Sequence, residues 1–112
     1  MITKNIGIAD MLKVLADETN LKMLSFLKLK GELCVCDLQN LLSTNQPNVS
    51  RHLKELMNVN LVSARQEGKW HYYSIKEIPL FAEEILKVAM VSSSVKNEQK
   101  HRTKMSKNID QK

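Results

Sequence analysis

The spacing of apolar residues changes twice between residues 34 and 75, and the order of the changes leaves few folds open. Leu38, Leu41 and Leu42 share one face of a helix expected from near Cys34 to about Leu42, with Asp37 in its first turn complementing the helix dipole. Ser43-Thr44 interrupts the pattern. It resumes in a helix that begins near Asn45, a strong N-cap, and carries Pro47 in the first turn, where a missing N–H is harmless. This helix turns Val49, Leu53, Leu56 and Met57 inward and ends about Val59. Then Leu61–Gln66, Glu67-Gly68-Lys69 and Trp70–Ile75 read as a β-hairpin around Gly68. Alternation places Tyr73 with Ile75 on its inward face and Trp70 with Tyr72 on the other. Two short helices across a tight turn, followed at once by a hairpin, make a winged helix-turn-helix.

The flanks supply the remaining helices. Ile8, Met11, Leu12 and Leu15 recur at i, i+3, i+4 and i+7. Asp17 caps a second helix whose Leu21, Met23, Leu24, Phe26, Leu27 and Leu29 cover most of its circumference, so it belongs at the centre; Lys30-Gly31 ends it. Pro79 opens a last helix through about Val91. The expected class is mainly α (α+β), in the order α-α-α-α-β-β-α. The 112 residues suffice for one domain, residues 1–95, for DNA binding and dimerisation. Residues 96–112 hold six basic and two acidic side chains, four of the net five positive charges, and read as a basic, mobile tail. With no run of about 18 apolar residues, a membrane span is not expected. Met1–Asp10 lacks an apolar signal stretch, and two cysteines one residue apart cannot staple a fold, so a reducing cytoplasm is the expected setting.

At about 100° per residue, Asn48, Arg51, Lys54 and Glu55 fall opposite the buried stripe of the fourth helix, Ser50 and His52 flank it, and Gln46 lies near its tip. The N-terminal part of such a helix enters the major groove of double-stranded DNA. Gln46, Asn48, Ser50 and Arg51 are therefore expected at base edges, and Lys54, Arg65 and Lys69 at phosphates. The alternative is an ordinary solvated face. His52 and His71 read as packing or surface side chains, and Trp70 as core or interface packing, with a wing contact to DNA the alternative. One module buries little DNA, and the first and last helices carry more apolar surface than the core needs; a homodimer reading an inverted repeat is expected.

The run Glu32-Leu33-Cys34-Val35-Cys36-Asp37-Leu38 stands where the helix-turn-helix begins. With Leu15-Ala16-Asp17, Asn45-Gln46-Pro47-Asn48-Val49-Ser50-Arg51-His52-Leu53, Gly68-Lys69 and Tyr73-Ser74-Ile75, it resembles the ArsR/SmtB family of metalloregulatory winged-helix repressors over residues 8–91. The resemblance implies a homodimer that represses an operon and lets go when a toxic metal ion binds. Its ELCVCDL run is similar to that of arsenic/antimony and cadmium/lead sensors. The chain departs from the pattern in several places. Gln39 stands where the fullest arsenic motif has a third cysteine, and the N-terminus has none of the cysteines that cadmium sensors add. The last helix has Glu83 and Glu84 but no His, unlike zinc, cobalt and nickel sensors. Asn20 stands where the family usually has Arg.

Two thiolates are too few for tetrathiolate Cd(II) or Pb(II), or for structural Zn(II), which wants four ligands. As(III) or Sb(III) can be held by two sulfurs and a third ligand from solvent or an added thiol, so Cys34 and Cys36 are the expected ligands. Glu32 and Asp37 are charge neighbours. Plain buried cysteines, or a thiol switch through a strained Cys-x-Cys disulfide, remain alternatives. On a regular helix residues i and i+2 lie about 200° apart, so one ion bonds both sulfurs only if the first turn unwinds, and with less distortion if Cys34 is a non-helical cap. No Ser/His/Asp set, phosphate loop or paired catalytic carboxylates stands out, so an enzyme is not expected. A metal buffer and a repressor without a ligand switch complete the rival readings.

Overall fold

A computed structural model describes the backbone of residues 7–104 and the side chains of residues 7–92. The elements run α1 (Ile8–Leu15), α2 (Glu18–Lys30), β1 (Leu33–Cys34), α3 (Val35–Leu42), α4 (Gln46–Asn58), β2 (Val62–Glu67), β3 (Trp70–Ile75) and α5 (Leu80–Lys104). This is the expected winged helix-turn-helix with one strand added. Leu33 and Cys34 pair antiparallel with Tyr73 and Tyr72, giving a three-stranded sheet in the order β1-β3-β2. Two residues are too short a run to show an alternating pattern, so the sequence order lacked β1.

Local chemistry sets the boundaries. The Asp17 carboxylate accepts the Asn20 N–H at 3.0 Å and starts α2; Gly31, at φ 87°, ends it in a conformation that side chains disfavour. Between α3 and α4 the chain turns through Ser43, which is left-handed at φ 53° and ψ 50°, and Asn45 then caps α4. The hairpin turns over Gly68-Lys69, with Gly68 at φ 62°.

The core is aliphatic, as the scarcity of aromatics requires. Met23 and Leu24 of α2, Leu38 of α3, and Leu53 and Leu56 of α4 are sealed from solvent, with Leu86 of α5 closing over them. Tyr73 and Ile75 pack against this core as expected, while Trp70 is exposed. Met57 is only half-buried, and the position the sequence reading put on the flank, His52, is buried instead. Half of the α1 stripe also faces outward: Met11 and Leu15 are buried, Ile8 and Leu12 exposed. The α5 helix continues past Val91, where its apolar periodicity ends. The α5 backbone takes in residues 96–104 of the expected basic tail; the side chains from residue 93 onward and residues 105–112 lie outside the described residues. Among the described residues no helix is long and apolar enough to cross a membrane.

Candidate DNA interface and cysteine site

The fourth helix of the chain, α4, lays its polar side chains along one outward face. Gln46 donates to the Ser50 hydroxyl at 3.2 Å, and the Asn48 amide donates to the Thr44 hydroxyl at 3.1 Å. Arg51 donates to Asn48 Oδ1 at 2.9 Å and to Glu55 Oε2 at 3.4 Å. Gln46 with Ser50 and Asn48 with Arg51 thus form two separate hydrogen-bonded pairs on this helix, and Lys54 is exposed. Donors and acceptors on such a face can exchange hydrogen bonds with base edges.

The three basic residues expected at phosphates differ. Lys54 and Lys69 are exposed and have no carboxylate partner among the described residues. Arg65 is engaged: Nε and Nη2 each donate to the Glu32 carboxylate at 2.8 Å, Nη1 donates to Glu67 at 2.7 Å, and the guanidinium sits 4.9 Å from the centre of the Tyr72 ring. These hydrogen bonds, to Glu32 first and then Glu67, raise the Arg65 pKa further, and those from Arg65 hold the Glu32 carboxyl below the usual carboxylate range. In this structure Arg65 braces the hairpin to the segment before β1, with its charge matched by two carboxylates.

That segment leads into the cysteines. Cys34 is both the last residue of β1 and the N-cap of α3, extended at φ −89° and ψ 171°. Its Sγ accepts the Asp37 N–H at 3.3 Å, and the Asp37 carboxylate accepts the Cys34 N–H at 3.2 Å, a reciprocal capping box. Cys36 lies two residues further, with Cα atoms 5.4 Å apart, and the two sulfurs meet as a disulfide. Ligand atoms of Cys34, Cys36 and Asp37 all lie within 4.8 Å of one another, Cys34 buried and the other two exposed. Cys34 is thus the non-helical cap that the sequence reading held open. Because Cys34 stands outside the helix, its sulfur swings over Cys36 while α3 stays wound from Val35 to Leu42.

Sequence reasoning missed a polar cluster behind α4. Asn20, fully buried on α2, meets His52 and Glu55. The visible signal was Asn20 itself, a small amide at a position where the resemblance led us to expect arginine.

A sequence profile described as "Bacterial regulatory protein, arsR family" matches residues 17–64. The arsenic resistance transcriptional regulator ArsR2 of Pseudomonas putida is 37% identical over 86 residues, 76% of this chain and 75% of that protein. The arsenical resistance operon repressor of Escherichia coli is 47% identical over 75 residues, 66% of this chain and 64% of that one. A cadmium resistance transcriptional regulatory protein CadC homolog of Staphylococcus aureus is 40% identical over 70 residues, 62% and 58% of the two chains. Among solved structures, the transcriptional regulator HlyU of Vibrio vulnificus superposes with a TM-score of 0.60 and 31% identity, over 78% of this chain and 84% of that one.

Proposed function

Because the chain belongs to the arsR family of bacterial regulatory proteins, transcriptional regulators and not enzymes, we propose that it is a repressor that binds operator DNA as a homodimer and is released when As(III) or Sb(III) binds Cys34 and Cys36. The observation that carries this reading is the meeting of both sulfurs at the cap of α3. Reduced by a cellular dithiol, the pair becomes two thiols at one place. Cys34 and Cys36 would each give one sulfur to a soft trivalent ion, each thiol proton leaving as water with the hydroxide it replaces. Asp37, within the same 4.8 Å cluster, supplies the neighbouring negative charge.

The switch lies in what Cys34 must give up. Its sulfur caps α3, and its backbone pairs with Tyr72 of β3. A sulfur bonded to an ion is a poorer acceptor for the Asp37 N–H, and the ligand geometry is set by the ion and no longer by the cap. Strain at this residue reaches α3, which packs on α4, and β3, which carries the wing. A ligand shifts a conformational population only by its differential affinity for the two states. A coupling of about 1–3 kcal/mol would weaken DNA binding roughly 5- to 150-fold, and DNA would weaken ion binding equally.

Gln46, Asn48, Ser50 and Arg51 read bases in this proposal, and Lys54 and Lys69 hold phosphates. Arg65 would meet a phosphate with its charge already matched by Glu32 and Glu67. Dimerisation is supported by exposed Ile8 and Leu12 on α1 and Leu80, Val88 and Val91 on α5, apolar side chains that a second copy would cover. Sedimentation at micromolar concentration showing only monomer would reject the dimer.

The test is fluorescence anisotropy of a duplex from the promoter of its own gene, with As(III), Sb(III), Cd(II), Zn(II) or hydrogen peroxide added to reduced protein. Release by As(III) and Sb(III), lost in Cys34→Ser/Cys36→Ser with DNA binding retained, supports the proposal. Unchanged affinity with As(III) stoichiometrically bound rejects it. Release by Cd(II) alone would favour the cadmium reading that the Staphylococcus aureus relative raises. Release by peroxide, reversed by dithiothreitol, would favour a thiol switch, which the bonded sulfurs raise.

A further inference from the structure

Asn20 is a polar side chain with no solvent exposure, in a small core that has otherwise excluded such groups apart from His52. Its side chain amide is fully engaged. Nδ2 donates to the Val14 carbonyl at 3.0 Å and to Glu55 Oε1 at 3.1 Å. Oδ1 is then the acceptor, so the contact of 2.8 Å with His52 Nδ1 requires the imidazole proton on Nδ1. The other ring nitrogen, Nε2, lies 3.2 Å from Arg51 Nη2, which can only donate, so Nε2 accepts. These two contacts together select the Nδ1–H tautomer of the ring. Arg51 meets three acceptors in all: His52 Nε2, Glu55 Oε2 and Asn48 Oδ1. Two of these three are held by Asn20.

We propose that Asn20 is a positioning residue for DNA recognition: from the buried face of α2 it fixes His52 and Glu55, and through them sets where Arg51 stands on the outward face of α4. The proposal rests on the reading of Arg51 as a base contact. An arginine is a long side chain with several rotatable bonds, and holding its guanidinium in advance reduces the ordering that DNA would otherwise impose. The anchor is better placed on α2 than on α4 itself, because a link between two elements also fixes the angle at which α4 leaves the core. The groups facing His52 make the arrangement self-consistent. The Asp17 and Glu55 carboxylates each lie 3.7 Å from Nδ1, and Arg51 faces Nε2.

A double-mutant cycle tests this by anisotropy on the promoter duplex, with circular dichroism melting to confirm folding. Loss of hydrogen bonds to charged and buried partners predicts about a tenfold weaker complex for Asn20→Ala. Arg51→Ala is expected to weaken binding roughly 10- to 100-fold, as for a base-reading arginine. If Asn20 acts through Arg51, adding Asn20→Ala to Arg51→Ala gives no further loss beyond about twofold. Multiplying penalties would overturn the proposal, since a purely structural role weakens binding whatever occupies residue 51. Glu55→Gln, on a half-exposed side chain, removes the ion pair to Arg51 while leaving an amide oxygen for Asn20. It should reproduce part of the Asn20→Ala effect and likewise vanish in the Arg51→Ala background.

A second readout needs no DNA. Long-range nitrogen–proton NMR of the free, neutral-pH protein should show His52 as the Nδ1–H tautomer, shifting toward Nε2–H in Asn20→Ala. The Nε2–H form in the unmutated protein would overturn the arrangement. Failure of the unmutated protein to bind any duplex, with the Nδ1–H tautomer present, would instead count against the DNA reading on which the positioning role stands.

Discussion

The two helices of the helix-turn-helix begin with the same device built from different atoms. At α4 the Asn45 carboxamide oxygen accepts the Asn48 N–H at 2.9 Å. At α3 the Cys34 sulfur accepts the Asp37 N–H at 3.3 Å, supported by the return bond to Asp37. Sulfur is the weaker acceptor, and the longer contact fits that. Among the described residues the oxygen cap has no second side-chain bond. The sulfur cap is also a strand residue and the neighbour of a second sulfur. A helix start held by a good acceptor is fixed; one held by a group with a stronger alternative partner can be withdrawn. The helix proposed to read DNA has the oxygen cap, and the helix before it has the sulfur one.

The largest expected effect would break the comparison most directly. In reduced protein, Cys34→Ser should abolish the As(III) response, the whole 5- to 150-fold change, yet leave the fold intact, because a serine hydroxyl is itself a strong N-cap. Anisotropy with As(III) and thermal melting check the two halves. A large loss of stability would show that the sulfur does more for the fold than cap α3. Asn45→Ala should do the reverse. Loss of an N-cap costs about 1 kcal/mol, which lowers the melting temperature of a domain this size by about 4–8 °C, and DNA affinity falls with the first turn of α4. Its As(III) response, measured as fold-release, should be unchanged. Smaller still is Asp37→Asn. The amide oxygen can still accept the Cys34 N–H, so what is lost is a charge at a helix start, about 0.3–1 kcal/mol. Comparable destabilisation by Asp37→Asn and Asn45→Ala would put the two caps on an equal footing.

Much of this molecule was legible in the sequence because it is written in local periods. Asn45, Pro47 and the Val49-Leu53-Leu56 stripe fix α4 without reference to anything distant. Gly68 does the same for the hairpin. The reading failed where the partner is remote in sequence. Leu33 and Cys34 become a strand only because Tyr72 and Tyr73 lie beside them. Helical periodicity put His52 at the edge of the buried stripe, and only the approach of Asn20 makes burying an imidazole there acceptable. Arg65 looked like a free cation because Glu32, 33 positions earlier, gave no local sign of reaching it. The geometry of the cysteines was half-legible. Their i, i+2 spacing was plain, but the choice between helical and capping conformation for Cys34 is made by β1.

The faintest expected effect concerns the brace beside the sulfur cap. Glu32 stands one residue before β1, and its paired oxygens hold Arg65 of the wing. Hydrogen bonds from Arg65 keep its carboxyl below the usual range, so the folded protein binds that proton less readily than the unfolded chain. The pair therefore contributes its full stability above the ordinary carboxylate pKa, near 4.5, and loses it as pH falls through the lower folded value. Both side chains are solvent-exposed, so the contribution is small and salt weakens it further. Glu32→Gln removes it at every pH. Melting temperatures of the two proteins, followed from about pH 6 down to about pH 3, should differ most at the upper end and converge toward the lower. A gap that widens with acid would mean that Glu32 is held protonated by the fold, the opposite of a brace. The same variant sharpens the contrast between the caps. With Arg65 loosened, β1 is less firmly tied to the wing, and the sulfur cap should yield at a lower As(III) concentration, while the α4 cap, which touches neither residue, should be indifferent.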